Sequence, residues 1–273
     1  MSKKGNSNET LQGLFAPLAI IIAFVIAVLL FKNVMGNPAN FQDGNPEGTP
    51  ISGNYLGIIY KGGFIVPLLM TCVEVLLIFA VERAITLSRA KGKGKLNVFV
   101  RKLQDLLAND KIEEAIEACD KQKGSLASVM KSGLLRYRDL QADPTLTADQ
   151  KIESISKSYE ESAALEIPML SRNMPIFSTL ASICVLIGLI GTVLGMIRAF
   201  SALASSGAAD AIQLSTGISE ALVNTAFGIS GSTLSIVAFN YFTSVIDGYT
   251  YKIDEAGFSL TQTFAESLKK KLS

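Results

Sequence analysis

Two gaps in the charge of this chain constrain its fold more than any other feature. No Asp, Glu, Lys or Arg stands between Arg172 and Arg198, a run of 25 residues, or between Glu220 and Asp247, a run of 26. As α-helix each run is about 38 Å long. That exceeds the roughly 30 Å of hydrocarbon in a bilayer, so both read as membrane spans whose ends project beyond it. Two further segments are long and apolar enough to cross. One is Leu14–Phe31; the other runs from Gly63 to about Ala84 and carries Glu74 in its middle and Glu82 near its end. Composition agrees, because 49% of the 273 residues are hydrophobic and only 18% charged, too few to solvate a globular surface of that size. The first segment is too long for the apolar core of a signal peptide and no small-residue cleavage site follows it, so it reads as an uncleaved span.

Basic residues near span ends stay in the cytoplasm, and their distribution sets the orientation. Residues 87–172 hold fifteen and residues 247–273 hold four, whereas residues 32–62 hold two and residues 198–219 one. Both termini and the long central segment are therefore expected inside. The expected order is an N-terminus at 1–13, spans at 14–31 and 63–86 joined by an external loop at 32–62, and a cytoplasmic domain at 87–172. Spans at 173–197 and 220–246 follow, joined by a second external loop at 198–219, with a cytoplasmic C-terminus at 247–273. Asn33 to Tyr60, rich in Pro, Gly and Asn, reads as a connector without periodicity.

Residues 95–172 read as helices. Leu96, Val100, Leu103 and Leu107 recur at helical spacing; Ile112, Ala115, Ile116 and Cys119 mark a second run ended by Gly124. A third covers Leu126 to Leu140, and Asp143 and Pro144 break the pattern. A capping box of Thr147 and Gln150 then starts a helix expected to continue into the third span. The mixture of 15 basic and 13 acidic residues over 87–172 reads as a solvated helical surface. The fold class is thus an all-α membrane protein, a transmembrane helix bundle whose long helices extend into a cytoplasmic helical domain.

The chain contains no histidine, and its three cysteines, Cys72, Cys119 and Cys184, form no CxxC pair. A histidine-based triad, a zinc-finger-like site and a haem pocket with a proximal His are excluded, and the cysteines read as small apolar fillers. A net charge of +1 gives no reason to expect nucleic acid. No nucleophile–base pair or phosphate-binding glycine loop is evident, so no enzyme, metal or cofactor is expected.

The polar content of the last two spans is what asks for a function. Gly188, Gly191 and Gly195 lie in the third, and the Gly191–Gly195 GxxxG pair is a face that another helix can approach closely. Thr192 stands one step away. In the fourth span Glu220, Asn224, Gly228, Gly231 and Ser235 form one stripe with Thr225 beside it, suited either to tight packing or to a water-lined face. Glu220 also suits the first turn of a helix beginning near Thr216, where the dipole favours an acid. Thr192 lies six residues inside Arg198 and Thr225 five residues inside Glu220, so the two hydroxyls share a level about 8 Å below their charged markers. Hydroxyls both donate and accept, and facing ones beneath an acid suit a hydrated path for a small cation. Glu74 is a further intramembrane acid with no evident cationic partner, facing either a protein interior or something outside the chain. Glu82 and Arg83 read as markers of the inner interface.

LIGLIGTVLGMIRAF at Leu186–Phe200 and GISEALVNTAFGISGSTLSIVAFNYF at Gly217–Phe242 resemble the ExbB/TolQ/MotA proton-channel family, on its ExbB/TolQ branch. Weaker similarity runs through VERAITL at Val81–Leu87 and through DKIEEAIEACDKQKGSLASVMKSGLLRY, covering about 200 residues and leaving the first 60 outside. The resemblance implies an ExbB-like multi-pass protein of a bacterial inner membrane, in contact with membrane lipids, with loops 32–62 and 198–219 periplasmic. It implies a homo-oligomer, typically a pentamer, whose last two spans line a central pore. A single-span ExbD- or TolR-like partner would supply an acid within that pore, and a TonB- or TolA-like protein would be energised by proton flow. The family's pore threonines fall at Thr192 and Thr225 and its pore glutamate at Glu220. The first span is extra to the usual three of this branch, and prolines common in the last two spans are replaced around Cys184 and Val185 and around Leu234 and Ser235, implying straighter helices. A TolQ-like role in outer-membrane integrity, a flagellar-type torque stator and a non-conducting scaffold are the competing readings, and such hydroxyls suit sodium as well as protons.

Overall fold

A computed structural model describes residues 5–141, 145–206 and 211–272. The described residues are helical with no strand, only an isolated bridge between Phe41 and Pro50. The α-helices are α1 (Gly5–Leu30), α2 (Tyr55–Tyr60), α3 (Ile65–Lys91), α4 (Leu96–Ala108), α5 (Ile112–Gln122), α6 (Gly124–Gln141), α7 (Ala148–Ser171), α8 (Met174–Ser206) and α9 (Ala211–Leu272). Four stretches among the described residues are long and apolar enough to cross a membrane, with ends at Ala16–Met35, Ile65–Ala108, Ala148–Ala204 and Gln213–Glu266. The chain divides into two compact units, residues 1–81 with 175–239, and residues 82–174 with 240–273.

In the first unit α1 buries Ala19, Ala23 and Ala27, spaced four apart, while Leu18, Ile21, Val25 and Leu29 stay exposed. Small side chains on one face let backbones approach where apolar surface alone gives no drive to associate in lipid. Ala27 packs with Val66 and Met70 of α3, flanked by Phe31, Met35, Ile59, Val223 and Phe227. The loop after α1, expected to be a plain connector, is an ordered knot built on Asn40. Its Nδ2 donates to Val34 O at 2.7 Å and Met35 O at 3.0 Å, satisfying carbonyls left free at the end of a π-helical turn (Phe31–Met35). Asn54, whose side chain accepts from Gly57 N at the start of α2, donates to Asn40 Oδ1 at 3.0 Å. Tyr60 stacks on Phe31 and meets Phe41 edge-on. Lys61 lies over the Phe41 ring, and burial lowers its pKa.

The second expected external loop, 198–219, is helical on both sides of residues 207–210, because α8 runs to Ser206 and α9 starts at Ala211. The absence of Pro from this segment, and its many Ala residues, let the helices continue past the charge-free runs.

The second unit surrounds a core of Leu103, Leu107, Ala115, Val129, Met130, Leu134, Tyr137 and Ile155, joined by Ile253, Ala256, Leu260 and Phe264 from the end of α9. Residues of the expected C-terminal segment 247–273 thus contribute to this core. Tyr137 stacks on Phe264, and the Tyr159 hydroxyl donates to Ile253 O. Gly257 leaves room for the Tyr159 ring, since a Cβ there would overlap it. The charges lie outside this core as exposed pairs such as Lys111–Glu114 and Lys121–Glu117, each worth little to stability. Helix α5 stops at Lys123 (φ 58°) followed by Gly124 (φ 81°), the latter opening α6. The break expected at Asp143 and Pro144 lies outside the described residues.

The expected course of α7 is corrected. The helix starting at Thr147 does not run into the third span; it ends at Ser171, and Arg172 (ψ 140°) and Asn173 (φ 67°) separate it from α8. Asn is among the few residues that tolerate a left-handed backbone, and Pro175 fits the first turn of the next helix. Glu82 and Arg83, expected to mark an interface, secure this break. Arg83 is 2% exposed, its Nε and Nη2 donate to Glu82 at 2.6 and 2.5 Å, and its Nη1 donates to Leu170 O at 3.1 Å, near the end of α7. Asn173 Nδ2 and Thr86 Oγ1 also donate to Glu82.

Two outcomes follow. Both halves of the capping box at Thr147 and Gln150 are present, so Thr147→Ala will cost about 1 kcal/mol in denaturant unfolding. Burial, then Asp120, pushes the Cys119 thiol up to about 12. Cys119 will therefore resist maleimide at pH 8 in the native protein and react after denaturation, as read by peptide mass mapping. Because only the unfolded thiol ionises between its ordinary value and about 12, its contribution to stability is complete at neutral pH and declines across that alkaline window.

Candidate functional site

The site is built on the seam between α8 and α9 in the first unit. A Cβ added at Gly188 would stand 3.0 Å from Asn224 O, at Gly195 2.8 Å from Ala221 N, and at Gly228 2.7 Å from Cys184 O. At Gly191 it would stand 2.5 Å from the Asn224 side chain. Backbone therefore rests against backbone at Gly188, Gly195 and Gly228, over about three turns of α8, and the helix that the GxxxG face admits is α9 of the same chain. Gly231 sits at the edge of the seam, where a Cβ would meet Cys184 Sγ at 3.0 Å and Val73 at 3.5 Å.

That closeness brings the two hydroxyls together. Thr192 Oγ1 and Thr225 Oγ1 are hydrogen-bonded to each other across the seam. Thr192 Oγ1 also reaches Gly188 O at 3.1 Å, and Thr225 Oγ1 reaches Ala221 O at 3.2 Å. Each hydroxyl thus has a backbone acceptor on its own helix and a hydroxyl partner on the other, an arrangement in which the shared proton can be donated from either side.

One turn from Thr225 towards the start of α9, Glu220 is 4% exposed and accepts from Arg198 Nη1 at 2.6 Å and 2.8 Å, one bond to each carboxylate oxygen. The Arg198 side chain is 53% exposed and lies over the Phe64 ring, 5.7 Å from its centroid. The turn before α3 closes over the pair. Gly63 has φ 74°, and a Cβ there would stand 2.5 Å from Glu220 Oε1, so both conformation and space require glycine. Asn224, fully buried, donates to Gly62 O at 2.9 Å and fastens the same turn. Ser235, also fully buried, donates back to Gly231 O at 2.9 Å.

Among the expected site residues, Thr192, Thr225 and Glu220 share this seam with Gly188, Gly191, Gly195 and Gly228. Glu74 is not among them; both its carboxyl oxygens are covered by the chain and have no hydrogen-bond partner among the described residues. Arg198 served in the sequence only as a marker of depth. Yet a level shared by Thr192 and Thr225 also makes Arg198 and Glu220 level, and opposite charges at one level of a helical hairpin are the signal for their pairing. The roles of Asn224 and of the Gly62–Gly63 turn had no such signal. Among the described residues no group of His, Cys, Asp and Glu is placed to hold a metal ion.

Residues 121–255 match the MotA/TolQ/ExbB proton channel family. A putative biopolymer transport protein ExbB-like 3 of Synechocystis is 39% identical over 90 residues, 32% of this chain and 43% of that protein. The Tol-Pal system protein TolQ of Pseudomonas aeruginosa is 27% identical over 116 residues, 42% of this chain and 50% of that one. The chain spans half or less of the length of these two relatives. The biopolymer transport protein ExbB of Neisseria gonorrhoeae is 29% identical over 180 residues, 66% of this chain and 80% of that protein.

Overpacking the seam will open it. Gly228→Val is expected to destabilise the protein by about 1–3 kcal/mol, seen as a lower thermal midpoint in detergent. Leu222→Val, at a side chain 66% exposed, will leave the midpoint nearly unchanged.

Proposed function

Through residues 121–255 this chain belongs to the MotA/TolQ/ExbB proton channel family, on its ExbB/TolQ branch, and from that premise we propose that it is the proton-channel and stator subunit of an inner-membrane energy transducer of the ExbB–ExbD–TonB type. The observation that carries this reading is the Thr192–Thr225 hydroxyl contact one turn below the Arg198–Glu220 pair. In the lipid core a polar path is costly unless it is satisfied, and here each hydroxyl is satisfied by a partner that also accepts a proton. The chain works without covalent chemistry, as a homo-oligomer whose α8 and α9 segments surround a pore, with both termini in the cytoplasm. A single-span partner of the ExbD or TolR kind supplies the acid that this path lacks, and a TonB- or TolA-like protein receives the motion. The likeness to a Tol-Pal system TolQ supports a Tol-type system as the second reading.

The two threonines have distinct tasks. Thr192 receives from or gives to Thr225, and the Ala221 carbonyl holds the Thr225 hydroxyl in place. Glu220 is the acid at the mouth, and a proton reaching it forms an O–H bond on a carboxylate that Arg198 already holds.

Proton uptake into vesicles carrying the chain with its co-expressed single-span partner tests the proposal. Thr225→Val and Glu220→Gln are expected to lower partner-dependent uptake at least about tenfold, equivalent to about 1.4 kcal/mol at the barrier, while the complex still assembles. Native-level uptake in both variants would make the seam a packing surface and the protein a scaffold.

A further inference from the structure

The hydroxyls and carboxylate of this seam are oxygen ligands that suit a sodium ion as well as a proton, and the geometry points to Arg198 as the residue that decides between them: it excludes metal cations from the Glu220 mouth. The inference rests on the proposed channel reading and deepens it. Three observations carry it. Both oxygens of Glu220 are engaged by one guanidinium nitrogen, Arg198 Nη1, at 2.6 and 2.8 Å, so the carboxylate has donors where a cation would need free lone pairs. Glu220 itself is closed in by Gly63 and by α8, while the Arg198 side chain is half-exposed, so the guanidinium stands on the open side of the buried acid. Lastly, Arg198 is held there by more than its partner, since the Phe64 ring lies beneath it.

The physical distinction is between a charge that must dwell and one that need not. Arginine stays charged at any physiological pH. A sodium ion entering from the open side would have to shed water beside that fixed positive charge and coordinate oxygens already occupied. A proton enters by forming one O–H bond on Glu220 and leaves by breaking it, so no metal-sized cation has to rest against the guanidinium. Removing the charge while keeping a polar side chain would free both carboxylate oxygens. With the paired Thr192 and Thr225 hydroxyls about 8 Å further in, they would offer a sodium ion oxygen ligands at two successive levels of the path.

The test compares proton and sodium uptake in proteoliposomes containing the full chain with its single-span partner, using a pH-sensitive dye inside and radioactive sodium outside. The native complex is expected to take up protons with no sodium above the lipid background. Arg198→Gln will raise the ratio of sodium to proton uptake at least tenfold, and Arg198→Met, which also removes the charge at similar length, will do the same if the Gln variant assembles poorly. Arg198→Lys, which restores the charge, will keep sodium excluded. An Arg198→Gln or Arg198→Met complex that conducts protons with the native ion ratio overturns this inference and leaves the channel reading intact. So does a native complex that already carries sodium. A native complex that carries no ion at all overturns the channel reading, and the inference falls with it.

Discussion

Everything at the candidate site depends on how closely two membrane helices can approach. Lipid tails offer helices no hydrophobic reason to associate, so contact has to come from fit. The glycines at positions 188, 191, 195 and 228 remove the side chains that would hold α8 and α9 apart, and they place carbonyl, amide and Cα atoms in contact. Only at that separation can side chains as short as threonine meet across the seam. The same closeness lets Asn224 reach the Gly62 carbonyl and lets the Gly62–Gly63 turn lie against Glu220. Packing and polarity are thus one design, with the small residues setting a distance that the hydroxyls and the ion pair use.

The ion pair illustrates why a buried charge in such a setting has to be fully engaged. A carboxylate that is 4% exposed would be costly without donors, and Arg198 supplies one to each oxygen. Glu82 and Arg83 follow the same rule in the other unit, where Arg83 satisfies Glu82 and a carbonyl near the end of α7 together. Glu74 departs from it, because its covered oxygens have no donor among the described residues. It sits one turn after Met70, whose neighbours include Ala27 of the first span. The residues around that acid lie outside the stretch that matches the family.

Much of the fold could be read from spacing alone. Charge-free runs marked the last two long apolar helices, three- and four-residue spacing gave the helices of residues 95–141, and Thr147 with Gln150 gave a helix start at the observed residue. At the site, counting residues inward from Arg198 and Glu220 was enough to bring Thr192 level with Thr225. What periodicity cannot express is a change of direction or a local side-chain bond. The break at Arg172–Asn173 turns on one left-handed Asn between the amphipathic α7 and the apolar α8, a change of backbone conformation that spacing does not encode. Arg83 read only as a marker of the inner interface, as a charge at the end of a span normally is; it is buried and paired with the residue before it. The loop after α1 has no repeating pattern, and its order comes from asparagine side chains bonding to backbone groups, a signal spread over residues 34 to 57.

That asparagine knot has a mechanical meaning. Asn40 grips the last carbonyls of the turn that ends the first span, and Asn54 ties Asn40 to the short helix leading into the second. The segment between the two spans is long enough to be slack, yet its ends are joined by bonds that lie across it. A tug on the first span is therefore delivered to the second as shear on three hydrogen bonds, with little chain to take up beforehand. This joins the first two spans at one end by side-chain hydrogen bonds, without any disulfide.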